Sequence, residues 1–338
     1  MVKVLVCDRV HEEGLNLLRK ANIQVDLKPN ITQEELEKIM VFYDGVVVRS
    51  RTRITGELIE KASNLKFVCR VGIGVDNIDI QKARTCGVKV LCTPKATSQA
   101  VAELTIGLMV AVARKIAYAD RSVKEGKWEK NVIKGFQFSG KTLGIIGFGR
   151  IGIKVAKIAK AFGMKILVYD IVFDNKTRKE EVSEPPILED EDIIQEAERI
   201  KALEEVEGEI VSFEELLARS EVISLHVPLT KETKHMLGEK EFSLMKKKPI
   251  IINTARGALI DEKALHEALK SGKISGVGLD VYEVEPPKNL EMLNLPNVVC
   301  TPHIGAQTEE AQKEASIEMA KKILRFLDKP EIKLHETI

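Results

Sequence analysis

The eleven residues Thr142-Leu143-Gly144-Ile145-Ile146-Gly147-Phe148-Gly149-Arg150-Ile151-Gly152 constrain this chain more than any other stretch. They read as a short apolar strand that turns sharply into a helix. Gly147 suits a tight backbone reversal, Gly149 carries no Cβ to hold a bulky anion away, and Gly152 lets the helix lie close against its strand. Such a turn is a cradle for the pyrophosphate of a dinucleotide. Three spaced glycines are weak evidence alone, so the flanks decide. Ile151, Val155, Ile158 and Phe162 recur at helical spacing, Gly163 can cap the helix, and Lys165 to Tyr169 reads as the next strand. Asp170 ends that strand 23 positions after Gly147 (170 − 147). A carboxylate there accepts hydrogen bonds from the adenosine ribose and repels a 2′-phosphate, which predicts NAD rather than NADP. Lys176 and Arg178 follow closely and are the two cations that argue for NADP.

A length of 338 residues fits two domains. With 44% apolar and 30% charged residues the composition is that of a globular chain, and 52 basic against 51 acidic side chains leave no net field to attract nucleic acid or a membrane surface. The expected partner is a small molecule. Cys7, Cys69, Cys86, Cys92 and Cys300 are odd in number and lack metal-ligand spacing, so they read as reduced core residues, and no metal is expected. No signal-peptide pattern or membrane-length apolar run is present, which points to the cytosol.

Before the glycine turn, Val2 to Cys7, Val25 to Leu27, Val46 to Val48, Phe67 to Val71 and Val88 to Leu91 are short β-branched runs. Amphipathic stretches at Glu12 to Lys20, Gln33 to Met40 and Thr55 to Ala62 separate them, an alternation that implies a parallel sheet covered on both faces. Ser98 to about Tyr118 reads as one long apolar helix. After Asp170, Val222 to His226, Ile250 to Asn253, Gly276 to Asp280 and Val298 to Cys300 read as further strands, with helices at Phe213 to Arg219 and Glu262 to Ser271. The last helix, Glu309 to Leu327, is expected to return to the first domain. The reading is α/β, two doubly wound parallel-sheet domains: a discontinuous substrate-binding domain at 1–97 plus 306–338, and a nucleotide-binding domain at 98–305.

Two stretches resist it. Gly135-Phe136-Gln137-Phe138-Ser139-Gly140-Lys141-Thr142 matches the phosphate-loop pattern G-x-x-x-x-G-K-[ST], yet it precedes a strand where a phosphate loop must follow one and open a helix. Asp174 to Ile210 holds 14 acidic and 5 basic residues, with Ile193, Ala197, Ile200 and Leu203 at helical spacing. It reads as a solvated amphipathic helix with flexible flanks, a charged insertion that a doubly wound sheet does not need.

In doubly wound sheets ligands gather outside the carboxyl ends of the strands, so residues there are the ones to inspect. Arg256 directly follows a buried strand, where a guanidinium can hold a carboxylate bidentately and polarise a carbonyl. Asp280 ends another strand, Glu285 precedes two prolines, and His303 sits beyond a third strand end. A carboxylate beside an imidazole favours the protonated ring, so Glu285 and His303 can form an acid–base pair. His226 also ends a strand and is the rival. His11, His235, His266 and His335 read as surface residues. Arg49 and Arg51 end a strand of the first domain and Arg70 precedes a glycine-rich loop, giving up to three cations for a phosphate.

Val71-Gly72-Ile73-Gly74-Val75-Asp76-Asn77-Ile78-Asp79, the Gly147 to Gly152 turn, Asn253 to Gly257, Gly278 to Tyr282 with Glu285-Pro286, and Thr301 to Gly305 together resemble the D-isomer-specific 2-hydroxyacid dehydrogenases. The likeness runs through nearly the whole chain except 174–210, and is nearest to the phosphoglycerate branch. It implies a flavodoxin-like substrate domain and a Rossmann NAD domain, while the long apolar stretch predicts a homodimer through Ser98 to Phe138. Arg256, Glu285 and His303 would be catalytic. Gly147, Gly149, Arg150, Ile151, Gly152, Asp170, Val227, Pro228, Thr254, Ala255, Arg256, Asp280 and His303-Ile304-Gly305-Ala306 would contact NAD. Ile73 and Gly74 would meet a phosphorylated 2-hydroxy acid, with Arg49, Arg51, Arg70 and Arg256. The resemblance further suggests a short form without a regulatory domain. A glyoxylate or hydroxypyruvate reductase, and from another class an NAD-sensing scaffold, are the alternatives.

Overall fold

The computed structural model describes residues 1–173, 194 and 196–329. These fall into two compact units, Met1–Thr97 with residues 307–329, and Ser98–Phe173 with residues 194 and 196–306. Lys176, Arg178, His335 and most of the charged stretch lie outside the described residues.

In the first unit, strands β1 (Lys3–Val6), β2 (Gln24–Leu27), β3 (Gly45–Val48), β4 (Phe67–Arg70) and β5 (Lys89–Cys92) alternate with helices α1 (Glu12–Lys20), α2 (Gln33–Ile39), α3 (Gly56–Lys61) and α4 (Ile80–Thr85). Each helix starts beside a residue whose side chain accepts a backbone N–H: His11, Thr32, Thr55 and Asp79. The strands pair in parallel in the order β2-β1-β3-β4-β5, the flavodoxin-like arrangement. Strand period assigns the core. Leu5, Val46 and Val48 pack on one face with Leu36 and Leu58, while Val4, Val6 and Val47 pack on the other with Leu15 and Leu18. The last helix (Glu309–Phe326) adds Met319 and Ile323 to that second face and lies against α1. Contact there is close: a Cβ on Gly14 would fall 2.2 Å from the Ser316 carbonyl oxygen.

The second unit carries α5 (Ser98–Ala113), α6 (Ile116–Lys124), β6 (Thr142–Ile146), α7 (Arg150–Ala161), β7 (Lys165–Tyr169), α8 (Glu196–Glu205), β8 (Glu209–Ile210), α9 (Phe213–Arg219), β9 (Val222–Leu225), α10 (Glu239–Leu244), β10 (Ile250–Asn253), α11 (Glu262–Lys270), β11 (Gly276–Leu279), α12 (Leu290–Leu293) and β12 (Val298–Cys300). Its seven strands are all parallel in the order β12-β11-β10-β9-β6-β7-β8. The direction of winding reverses between β6 and β9. That is the switch point where a doubly wound sheet binds its ligand.

Several expectations change. The long apolar helix is two: Lys115 takes a left-handed φ of +53° and α6 begins at Ile116. The Ala113 carbonyl, which a continuous helix would have used, accepts the Phe136 N–H at 3.1 Å instead. The charged stretch is not dispensable at its end, because β8 pairs with β7 (Leu167 opposite Glu209) and α8 packs on α7. Lys141 of the apparent phosphate loop pairs with Glu221 at 2.8 Å and lies 5.4 Å over the Phe136 ring, a structural lysine ahead of β6. Cys86 and Cys300 are exposed, not core. His11, His235 and His266 are half-buried. Helices α4, α10 and α12 and strand β8 go beyond the expected elements, each too short to give a periodic signal.

Gly14→Ala is expected to destabilise the first unit by about 1–3 kcal/mol, the range for forcing a methyl into a filled contact. A denaturation midpoint that does not fall would contradict this packing.

Candidate active site

The glycine turn is built by three different exclusions. Gly147 has φ +94°, and a Cβ there would lie 2.7 Å from the His226 carbonyl oxygen. A Cβ on Gly152 would sit 2.2 Å from the Gly147 oxygen, so β6 and α7 can meet only because residue 152 has no side chain. A Cβ on Gly149 would meet no protein atom within 4 Å. Gly149 caps α7, which has no side-chain acceptor for its first N–H groups. Those donors and the helix dipole make the open space beside Gly149 an anion site.

The adenosine end of this turn is more crowded than the sequence suggests. Asp170 Oδ2 accepts the Phe148 N–H at 2.7 Å, and Oδ1 accepts the Val172 N–H at 3.0 Å. Arg199 of α8 adds a third donor, its Nη1 lying 2.9 Å from Oδ2. Arg199 is not among the residues expected at the site, since nothing in its local pattern relates it to Asp170.

Farther along the same sheet edge, Val227 and Pro228 follow β9, Thr254, Ala255 and Arg256 follow β10, Asp280 follows β11, and His303 to Ala306 follow β12. Asn253, wholly buried, shapes the loop of Arg256: its Nδ2 donates to the Arg256 carbonyl at 2.9 Å and its Oδ1 accepts the Ala255 N–H at 3.1 Å. Thr254 shares a hydrogen bond with Thr105 of α5 at 2.8 Å. His303 has a left-handed φ of +54°, a conformation costing an L-residue roughly 1–2 kcal/mol. The surrounding loop holds it there. Asp280, 1% exposed, accepts the N–H groups of Ile304 and Gly305 at 2.8 Å each and the Thr301 hydroxyl at 2.6 Å, while the Tyr282 hydroxyl donates to the Thr301 carbonyl at 2.9 Å. The carboxylate expected to meet the coenzyme therefore also braces the histidine loop.

His303 Nδ1 lies 2.8 Å from Glu285 Oε2. Burial pushes the Glu285 carboxyl up, but the His303 hydrogen bond and charge, the Tyr282 N–H and the nearby Arg256 charge outweigh it and leave it below its ordinary value. The pair therefore keeps its anion at neutral pH. With Nδ1 on the carboxylate, Nε2 is the ring nitrogen left for a ligand. The rival His226 is half-buried with its Nε2 at 2.9 Å from Ser224 Oγ, and burial of the ring pushes it down to about 3, too low to carry a proton at neutral pH.

In the first unit, Val48 lies opposite Arg70, so Arg49 and Arg70 end neighbouring strands. Burial pushes the Arg49 guanidinium down, the charge of Asp8 opposes it, and Nη1 donates to Gln312 at 2.5 Å. Arg70 Nη1 donates to the Val71 carbonyl at 2.8 Å, folded over Gly72, where a Cβ would fall 1.6 Å from it. Ile73 is exposed in the same loop. Asn77 bridges the Arg49 and Thr52 carbonyls at 2.7 and 2.5 Å, holding the two loops together. Arg51 departs from expectation. Its guanidinium is committed to Asp8 at 2.8 Å and to the carbonyls of Ile31, Cys7 and Pro29, which makes it a structural brace.

A parallel sheet with an open glycine turn at its switch point and an imidazole–carboxylate pair along the same edge is the architecture of a dinucleotide-dependent oxidoreductase. The profile of the D-isomer specific 2-hydroxyacid dehydrogenase NAD-binding domain matches residues 106–202 and 194–305. The D-3-phosphoglycerate dehydrogenase of Methanocaldococcus jannaschii is 46% identical over 327 residues, 97% of this chain and 58% of that protein. The hydroxypyruvate reductase of Thermotoga maritima is also 46% identical, over 329 residues, 96% of this chain and 98% of that one. A crystal structure of a glyoxylate reductase from Paecilomyes thermophila superimposes with a TM-score of 0.83 at 32% identity, covering 99% and 98% of the two chains. The chain thus spans little more than half the length of one close relative and nearly all of another. It belongs to the D-isomer-specific 2-hydroxyacid dehydrogenase family, whose members are NAD-dependent oxidoreductases.

NAD fits the residues present, because the space a Gly149 side chain would fill and the uncapped start of α7 suit a diphosphate. Gly149→Ala is expected to leave the melting temperature unchanged while weakening NADH binding roughly tenfold or more, and Gly152→Ala to lower the melting temperature itself, since a methyl there meets backbone. Calorimetry and NADH fluorescence titration separate the two. An unweakened Gly149→Ala would put the diphosphate elsewhere.

Proposed function

We propose that the protein interconverts a D-2-hydroxy acid and its 2-oxo acid, with 3-phosphoglycerate and 3-phosphohydroxypyruvate as the preferred pair. The observation that carries the acid–base part is the 2.8 Å contact between His303 Nδ1 and Glu285 Oε2, near the charge of Arg256. When bound, NAD supplies the hydride acceptor. His303 Nε2 takes the proton of the substrate hydroxyl, and Glu285 stabilises the imidazolium that results. Arg256 holds the substrate carboxylate and polarises the carbonyl in the reverse direction. The first unit carries its own candidate substrate contacts, the backbone at Ile73 and Gly74. Arg49 and Arg70 are the cations for a phosphate, and Arg51 is not among them.

A second reading has its own support: the hydroxypyruvate reductase is matched along nearly its whole length at the same identity, and only two of the three arginines remain for a phosphate. We further propose a homodimer through 98–138, where Ile116, Val123, Trp128 and Val132 expose large apolar side chains.

His303→Ala should lower turnover by about 10²–10⁴-fold with NADH affinity unchanged, the usual worth of a positioned acid–base group. Wild-type turnover in that variant would remove the histidine from the chemistry. Arg49→Ala should reduce kcat/KM for the phosphorylated substrate by roughly 10–100-fold, one charge-assisted bond, and spare glyoxylate. Equal losses on both would favour the reductase reading. Light scattering should give twice the chain mass, and a monomer at micromolar concentration would exclude the dimer.

A further inference from the structure

The contact between Arg199 and Asp170 bears on which coenzyme the ribose site can take. Arg199 Nη1 reaches Asp170 Oδ2 at 2.9 Å and the Phe148 carbonyl at 2.8 Å, so it grips both the acidic residue and the middle of the glycine turn. Both side chains are largely buried, 15% exposed for Arg199 and 9% for Asp170. A lone aspartate at this place discriminates in two ways: it accepts the ribose hydroxyls and it repels a 2′-phosphate. Here the second effect is cancelled, since the aspartate's charge is matched by a guanidinium at hydrogen-bonding distance, where solvent screens the pair poorly. The first survives in reduced form. Among the described residues, Oδ2 accepts two donors, while Oδ1 accepts the Val172 N–H and keeps a lone pair for one hydroxyl.

Arg199 also has donors to spare. A guanidinium carries five N–H groups; the two on Nη1 serve Asp170 and Phe148, and the buried Nε has no hydrogen-bond partner among the described residues. A buried donor left unpaired is costly, so this guanidinium is held in place by its Nη1 bonds and by its charge beside Asp170.

We propose that Arg199 is a coenzyme-specificity residue that opens the ribose site to a 2′-phosphate, so that the protein accepts NADP(H) alongside NAD(H). The proposal rests on the reading of the glycine turn as the coenzyme site and is independent of which hydroxy acid reacts. Fluorescence titration with NADH and NADPH, and calorimetric titration with 5′-AMP and 2′,5′-ADP, test it without any substrate. The wild-type protein should bind NADPH within about tenfold of NADH, and 2′,5′-ADP at least as tightly as 5′-AMP. Arg199→Ala should weaken the two 2′-phosphorylated ligands by roughly 10–100-fold, the loss of one charge-assisted hydrogen bond, and change NADH by no more than about threefold. Arg199→Lys, which keeps the charge, should recover part of the loss. Discrimination against NADPH beyond about tenfold in the wild type would overturn the proposal. So would an equal weakening of all four ligands by Arg199→Ala, which would make the arginine a brace for the turn. Binding of neither coenzyme by the wild type would instead sink the coenzyme site itself, and this proposal with it.

Discussion

The second unit depends on one close approach, the contact of Gly152 with the carbonyl of Gly147. A side chain at residue 152 would push α7 off β6, and the start of that helix would no longer point its free N–H groups past Gly149. The same approach sets Phe148 between two polar neighbours: its N–H reaches Asp170 and its carbonyl reaches Arg199. Removing one methyl group's worth of volume thus lets a turn, a helix terminus and the end of the next strand act on one region. Parallel pairing does the rest, because every strand of this sheet delivers its following loop to the same edge.

Along that edge, buried polar residues decide where the side chains of His303 and Arg256 stand. Asp280 gathers two backbone N–H groups and a hydroxyl, which sustains the left-handed backbone of His303. Asn253 does the same for Arg256 by closing a small ring over the end of β10. Each is buried with its acceptors or donors occupied, as a polar group out of water must be. The placement of the His303–Glu285 pair is therefore inherited from a layer of hydrogen bonds behind it, and the negative charge on Glu285 persists because the imidazole and guanidinium outweigh the effect of its burial.

Electrostatics divides the arginines in a way that their positions along the chain do not. Arg49, Arg51 and Arg70 all follow or end strands of the first unit, yet Arg51 is consumed by one carboxylate and three carbonyls. Arg199 sits on an acidic helix that reads as a solvated face, yet it is largely buried and pairs with Asp170 at the end of β7. The number of donors already spent distinguishes a brace from a binding group, and only packed neighbours determine that number.

Periodicity and glycine spacing made the fold legible. Strands of β-branched residues, helices with an apolar stripe and three glycines at fixed offsets can satisfy their backbones and bury their apolar faces in few arrangements, and the residues at strand ends follow from that. Elements of two to six residues such as α4, α12 and β8 stayed hidden because so short a run has no period, and the break at Lys115 stayed hidden because it depends on a carbonyl captured by Phe136 from 23 positions away (136 − 113). By itself, then, the order of residues determined the two sheets, the dinucleotide turn and the pairing of a histidine with a glutamate. Tertiary structure alone decided which charges are spent on the protein and which remain for a ligand, because pairs such as Arg199 with Asp170 join residues that no local pattern relates.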